Sequence, residues 1–353
     1  MMLRQLVRNA SLAAIGIIAL TDPGVEAQQP AETRRALVAR SKIWVQTDIP
    51  AMNLRAGPSG PGSFEPGATI TCDYSDKTLG GRSPKFACLL PDGSELKVKY
   101  GGDNGEVYGE VAASRLLWSL GFGADGMYSV RVICRGCPAT IGGIARANGD
   151  RILDPAAVER KMPGEELTDE WSWDELEKVD ESAGGAPRAH RDALKLLAVM
   201  LQHSDSKPQQ QRLICLEGGG EGRCDTPLMM INDLGITFGR ANTFNLQRPG
   251  SMNLAEWMKL PIWKDGATCA GNLSGSFTGT LKNPVISEAG RQFLASLLVQ
   301  LSDRQLQDMF AAARVQLRPR SPGDGRSGFP SVDEWVTAFK QKRTEIVDRR
   351  CAA

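Results

Sequence analysis

Asp205 and Lys207 stand two residues apart in the run His203-Ser204-Asp205-Ser206-Lys207-Pro208-Gln209-Gln210, just after a strongly apolar stretch from Ala193 to Leu201. Further on, a short apolar run from Leu228 to Ile231 leads into Asn232-Asp233-Leu234-Gly235. An acid beside a lysine, followed by a second acid before glycine, is a set that phosphoryl transfer from a nucleoside triphosphate requires. One carboxylate takes the proton of the acceptor hydroxyl, an ammonium offsets phosphate charge, and the second carboxylate ligates a divalent metal. Gly235 and Gly239 allow the tight backbone that such a metal segment needs. Each piece alone is commonplace, because an acid after a helix is an ordinary loop residue and Asp-x-Gly an ordinary turn. The order of the pieces along the chain carries the information.

That order begins upstream. Lys97 and Lys99 lie two apart in the strand-like segment Glu95 to Tyr100 and therefore share a face. The helix that follows, Glu106 to Leu120, is stopped by Gly121 and places Glu106, Glu110, Ala113 and Leu117 on one stripe. The far end of that stripe is apolar, so the stripe faces protein, and an inward carboxylate needs a partner. A strand lysine supplies it. Glu106 also suits the first turn of a helix for reasons of the dipole, which makes Glu110 the preferred partner of Lys99. Gly80 and Gly81 sit in the turn Asp76 to Ser83, whose backbone amides can cradle phosphate, although an ordinary hairpin turn has the same composition. Gln210 can present a carbonyl oxygen to a metal.

The elements that must position these groups divide the chain. Residues 28–67 read as a lead-in and a Gly/Pro/Ser loop. Strands at Ala68 to Tyr74, Lys85 to Leu90 and Glu95 to Tyr100 form a three-stranded meander. The helix Glu106 to Leu120 and an apolar strand from Met127 to Cys134 complete a small β-rich region that ends at residue 140. From there the chain is expected to turn helical through residues 141–317. Helices are expected at Trp171 to Val179, Arg188 to Leu201, Ser287 to Leu301 and Asp303 to Val315, with two short strands at Leu213 to Leu216 and Leu228 to Ile231. Residues 318–330 read as a linker and residues 331–353 as a final helix capped by Ser331. The expected class is α+β.

A formal net charge of +1 gives no electrostatic case for nucleic acid or an anionic membrane as the main partner. Residues 1–27 have the basic, then apolar, then small-x-small pattern of an export signal, and no later stretch reaches membrane-spanning length. The expected location is therefore secreted or periplasmic. All eight cysteines follow that segment, which argues for disulfides in an oxidising compartment. Proximity favours Cys72 with Cys88 and Cys215 with Cys224. Cys134 and Cys137 are read as a structural disulfide, with a zinc half-site as the alternative.

The succession Lys99, Glu110, Asp205-x-Lys207, Asp233-x-Gly235 resembles the protein-kinase-like fold over roughly residues 68 to 315. It is closest to the secretory-pathway kinases of the four-jointed type, with the HipA-type and lipid kinases as more distant relatives. Glu110-Val-Ala-Ala-Ser-Arg-Leu-Leu, followed by Leu120-Gly121, resembles the Glu-containing helix of that group, and Asp233-Leu-Gly-Ile-Thr-Phe-Gly its metal-binding segment. The resemblance implies a two-lobed fold, with a small β-rich lobe carrying one key helix and a larger, mostly helical lobe. It implies ATP or another nucleoside triphosphate as donor, Mg²⁺ or Mn²⁺ as cofactor, and a hydroxyl of a protein, glycan or small molecule as acceptor. Lys99 would contact the α- and β-phosphates with Glu110 holding it, Asp205 would be the general base, Lys207 would lie near the transferred group, and Asp233 would ligate the metal. Gln210 stands where protein kinases have a metal-binding Asn, His203-Ser204-Asp205 replaces His-Arg-Asp, and no Ala-Pro-Glu follows. These departures imply the alternative function, a non-catalytic scaffold on the same fold.

Overall fold

The computed structural model describes residues 33–351 except 82, 139, 142–143, 146–148, 169, 219–222, 240–250, 266–267, 275–278 and 322–323. The expected export signal lies outside the described residues. Among those described, no helix is long and apolar enough to cross a membrane.

A short capped helix, Arg34–Arg40 (α1), precedes a sheet that closes on itself. Ala68–Ser75 (β1), Lys85–Leu89 (β2) and Glu95–Tyr100 (β3) form the antiparallel meander that their alternation and turn residues dictate. Glu106–Leu120 (α2) follows, then Gly126–Cys137 (β4). After a two-stranded pair, Thr140–Ile141 (β5) and Ile144–Ala145 (β6), the long strand Gly149–Arg160 (β7) returns. β7 pairs with both β3 and β4, β4 pairs parallel with β1, and the barrel closes in the order β1-β2-β3-β7-β4. Its interior is filled by Ile70, Phe86, Leu96, Val98, Val130 and Val158. Closure leaves no free edge in this sheet.

The expectation that the chain turns helical after residue 140 is corrected by β7 and by Glu165–Thr168 (β8). Asp154-Pro155 and the charges around it disguise β7, because proline interrupts a strand pattern. The segment read as a helix over Trp171 to Val179 is a tighter 3₁₀ turn, Trp173–Lys178, held by a capping box of Ser172 and Glu175.

The rest of the chain is mostly helical. Arg188–Leu201 (α3) ends at Gln202 in the left-handed conformation. Gln211–Cys215 (β9) and Pro227–Ile231 (β10) form a small sheet in the order β10-β9-β8. Leu254–Lys259 (α4), Glu288–Leu298 (α5), Asp303–Ala312 (α6) and Val332–Val347 (α7) enclose an aromatic core. In it Phe238 meets Trp257 edge-on at 5.0 Å and Phe310 lies 5.8 Å from Trp335. The stretch expected as a linker is fastened to this body. Arg318 is buried, and Arg320 pairs with Asp324 at 2.8 Å and Glu334 at 2.6 Å.

α2 is bonded at both ends and in its middle. At its start, Tyr108 donates its hydroxyl to the carbonyls of Gly102 (3.1 Å) and Leu317 (3.2 Å), and Arg318 Nη1 donates to the Asp103 carbonyl at 2.6 Å. At its end, Trp44 Nε1 donates to Leu120 O at 2.6 Å, Thr47 Oγ1 to Ser119 O at 2.6 Å, and Val45 N to Gly121 O at 2.9 Å. Midway, fully buried Arg115 donates to Leu54 O at 3.0 Å and Met127 O at 2.5 Å, and burial pushes its pKa down to about 10.

The eight cysteines form four disulfides: Cys72–Cys88, Cys134–Cys137, Cys215–Cys224 and Cys269–Cys351. Bonded to each other, Cys134 and Cys137 offer no thiolate to zinc. The last bridge spans 82 residues and pins the segment that follows α7. Closing so long a loop restricts the unfolded chain most. The double substitution Cys269→Ser/Cys351→Ser is expected to cost about 2–4 kcal/mol, read as a lower thermal midpoint that added reductant no longer shifts through this bridge.

Candidate active site

β3 and α2 converge on Lys99. Its Nζ donates to Glu110 Oε1 at 2.5 Å and to Glu106 Oε2 at 2.7 Å, and both Lys99 and Glu110 are buried. The i, i+4 spacing stacks the two glutamates on one face of α2, so a single ammonium reaches both. From the loop after β10, both carboxylate oxygens of Asp233 come within 3.5 Å of the same nitrogen. Lys97, two residues back on the same face, is bonded instead to Glu159 of β7.

Three carboxylates around one ammonium leave negative charge in excess. Burial alone would lower Lys99, but the charges of Asp233, Glu106 and Glu110 outweigh it and hold the ammonium well above the usual lysine range. Burial pushes Glu110 well up, and the nearby charge of Asp233 adds to that rise against the pull of Lys99. Burial also acts to raise Asp233, yet Lys99 and then Lys97 hold it below the usual carboxylate range. Glu110 Oε2 is buried without a hydrogen-bond partner. One oxygen from each of Glu106, Glu110 and Asp233 can be chosen so that all lie within 4.8 Å of one another. An all-oxygen donor set with surplus negative charge and an orphaned oxygen fits a hard divalent cation such as Mg²⁺ or Mn²⁺.

Gly235 keeps this cluster closed. A Cβ there would lie 2.8 Å from Glu106 Cγ, so a methyl group must push that side chain aside. Gly235→Ala is therefore expected to weaken Mn²⁺-dependent stabilisation by about tenfold in apparent affinity, measured by thermal-shift titration with the metal.

The second set lies past α3. The left-handed Gln202 ends the helix and directs the chain into the segment that carries Asp205. Asp205 Oδ2 accepts from Lys207 Nζ at 2.9 Å and from Gln210 Nε2 at 2.8 Å, and the aspartate stays partly open to solvent. Backbone bonds tie this segment to that of Asp233: Asn232 N donates to Gln210 O at 2.9 Å, and Phe238 N to Leu201 O at 2.6 Å. His203 is buried beside Trp173, with ring centroids 6.3 Å apart, and burial lowers its pKa so that it stays neutral.

The expected site residues thus fall in two groups joined through the β10 loop: Lys99, Glu110 and Asp233 in one, Asp205, Lys207 and Gln210 in the other. The Gln210 amide nitrogen is bonded to Asp205, and the acidic groups gathered with Asp233 are Glu106 and Glu110. Gly80 and Gly81 stand apart in the exposed loop before β2, with Gly81 at φ +89°. Sequence reasoning passed over Glu106, which it assigned to the helix dipole, although the i, i+4 stripe already placed it beside Glu110. It also passed over Lys85, directly opposite Lys99 across the β2–β3 pair.

No family model matches the sequence, and no curated protein matches it. Among solved structures the chain is similar to the proinflammatory kinase CtkA of Helicobacter pylori, with 10% sequence identity and a TM-score of 0.44, covering 80% of this chain and 96% of that one.

Proposed function

We propose that this protein is a kinase-like phosphotransferase that moves a phosphoryl group from ATP, or another nucleoside triphosphate, to a hydroxyl of a protein, glycan or small molecule. The observation that carries this reading is the fully buried Lys99 held by Glu110, Glu106 and Asp233, on segments bonded to the one bearing Asp205. Lys99, kept in place by Glu110, contacts the α- and β-phosphates. Asp205 accepts the proton of the acceptor hydroxyl, and Lys207, already bonded to it, lies near the transferred group. Asp233, with Glu106 and Glu110, holds Mg²⁺ or Mn²⁺, which when bound offsets the charge of the phosphates. The four disulfides support action in an oxidising compartment, secreted or periplasmic.

The test is incubation of purified, oxidised protein with radiolabelled ATP, Mg²⁺ or Mn²⁺ and a mixed pool of acceptors. Label transfer that is lost in Asp233→Ala supports the proposal, and undiminished transfer in that variant sinks it. One observation favours a second reading, a non-catalytic scaffold: Gln210 lies with Asp205, outside the acidic group that Asp233 forms with Glu106 and Glu110. Metal-dependent nucleotide binding without transfer to any acceptor would decide for that reading.

A further inference from the structure

We propose that Lys85 is a second phosphate-contacting residue, which meets the donor's phosphate chain together with Lys99. The inference rests on the phosphotransferase reading and adds to it a cation from a different strand. The register of β2 and β3 sets Lys85 directly opposite Lys99. Side chains paired in this way lie on one face of the sheet, where directly opposed like charges repel. Lys97 shares the face, so three lysines converge there.

The other two are compensated within the protein, Lys97 by Glu159 and Lys99 by Glu106, Glu110 and Asp233. Among the described residues, no carboxylate comes within ion-pair distance of Lys85. The side chain is half-buried, with its ammonium directed at the glycine turn between β1 and β2: a Cβ on Gly81 would press on Lys85 Nζ. The groups that act on it are Lys99 and Lys97, which repel it, and Glu106 and Asp233, which attract it from beyond contact. Burial, then the charge of Lys99, lowers its pKa. An ammonium partly out of water, against like charge and without its own counter-ion, is stabilised by an incoming anion.

The chemistry of that anion follows from the neighbours. Glu106 and Asp233 repel a simple carboxylate ligand. A phosphate chain that reaches Lys99 brings enough charge to engage both ammoniums, and its complex with a divalent cation remains anionic. Gly81 lies against the Lys85 ammonium, on the side of the strand pair from which the turn approaches. Sequence inspection misses this lysine because its significance lies in cross-strand register.

Lys85→Met and Lys85→Arg, made in the full-length oxidised protein, test the proposal. Binding of ADP and of adenosine, each with Mn²⁺, is measured by calorimetry beside the wild type. Lys85→Met keeps the apolar stem and is expected to fold with an unchanged or raised thermal midpoint, since it removes like-charge repulsion. It is expected to weaken ADP binding by about tenfold or more, to leave adenosine binding unchanged, and to be largely rescued in Lys85→Arg. Undiminished ADP affinity in Lys85→Met, or equal weakening of ADP and adenosine, overturns this inference alone. Absence of binding by the wild type of ADP and equally of GDP, UDP and CDP overturns the phosphotransferase reading and this inference with it.

Discussion

Asp205→Ala is expected to lower the turnover of phosphoryl transfer by about 10²–10⁴-fold while nucleotide binding persists. The two effects separate because Asp205 has no contact with the Lys99 cluster; its bonds are to Lys207 and Gln210. Removing it frees an ammonium that is already partly exposed to water, so the stability cost is small. Single-turnover transfer measured beside an ADP titration checks both halves. Loss of transfer together with loss of ADP binding would place Asp205 in the nucleotide site and refute its role as base. Asp205→Asn sharpens the test, because it keeps the hydrogen-bonding shape and removes only the capacity to accept a proton.

The second large effect is expected from Lys99→Met. Here a buried ion cluster loses the ammonium bonded to all three of its acids, and the carboxylates of Glu106, Glu110 and Asp233 remain. Breaking a buried pair from one side costs about 3–5 kcal/mol, so the variant should be strongly destabilised as well as unable to bind nucleotide. The loss has a pH signature. The raised pKa of Lys99 means that its stabilisation is complete below the unfolded lysine value and fades only at higher pH, when pH rises through the folded value. Wild-type stability should therefore show no Lys99-linked change between mildly acidic and neutral pH. Asp233, held low, contributes stability above the unfolded aspartate value and loses it as pH falls. Glu110 has the opposite sign, since its raised pKa makes ionisation unfavourable in the folded state and acid relieves the strain. Without Lys99, the repulsion of three carboxylates dominates, so Lys99→Met should regain stability between pH 8 and pH 5. Urea unfolding of both proteins at the two pH values measures this, and an equal loss at both would refute the electrostatic account.

Much of the barrel could be read from the chain. β1 to β4 and α2 announce themselves by alternation, turn glycines and the stop at Gly121, and the spacing of Lys97, Lys99, Glu106 and Glu110 puts a lysine face against an acidic stripe. β7 could not be read this way. Its proline and its charges at Asp150, Arg151 and Asp154 look like loop chemistry, and only pairing with β3 and β4 makes it a strand. The Cys269–Cys351 bridge joins residues 82 apart, a distance at which spacing carries no pairing information. The place of Lys85 depends on register between strands, and Glu106 offered a sufficient local explanation that concealed its contact with Lys99. For β7, the disulfide and Lys85 the missing knowledge concerns pairing between separate segments, which local patterns do not encode.

The bonds that hold α2 at both ends have a thermodynamic consequence. Swinging this helix away from Lys99 would break the Lys99–Glu110 pair and also detach Tyr108, Trp44, Thr47 and the Arg318 guanidinium from their carbonyls. With each such bond worth about 0.5–1.5 kcal/mol net and the ion pair about 3 kcal/mol or more, the displaced arrangement would hold well under about one molecule in a thousand. Hydrogen exchange from the central amides of α2 should then require unfolding of the whole domain, and the helix should behave as a fixed wall with one occupied position.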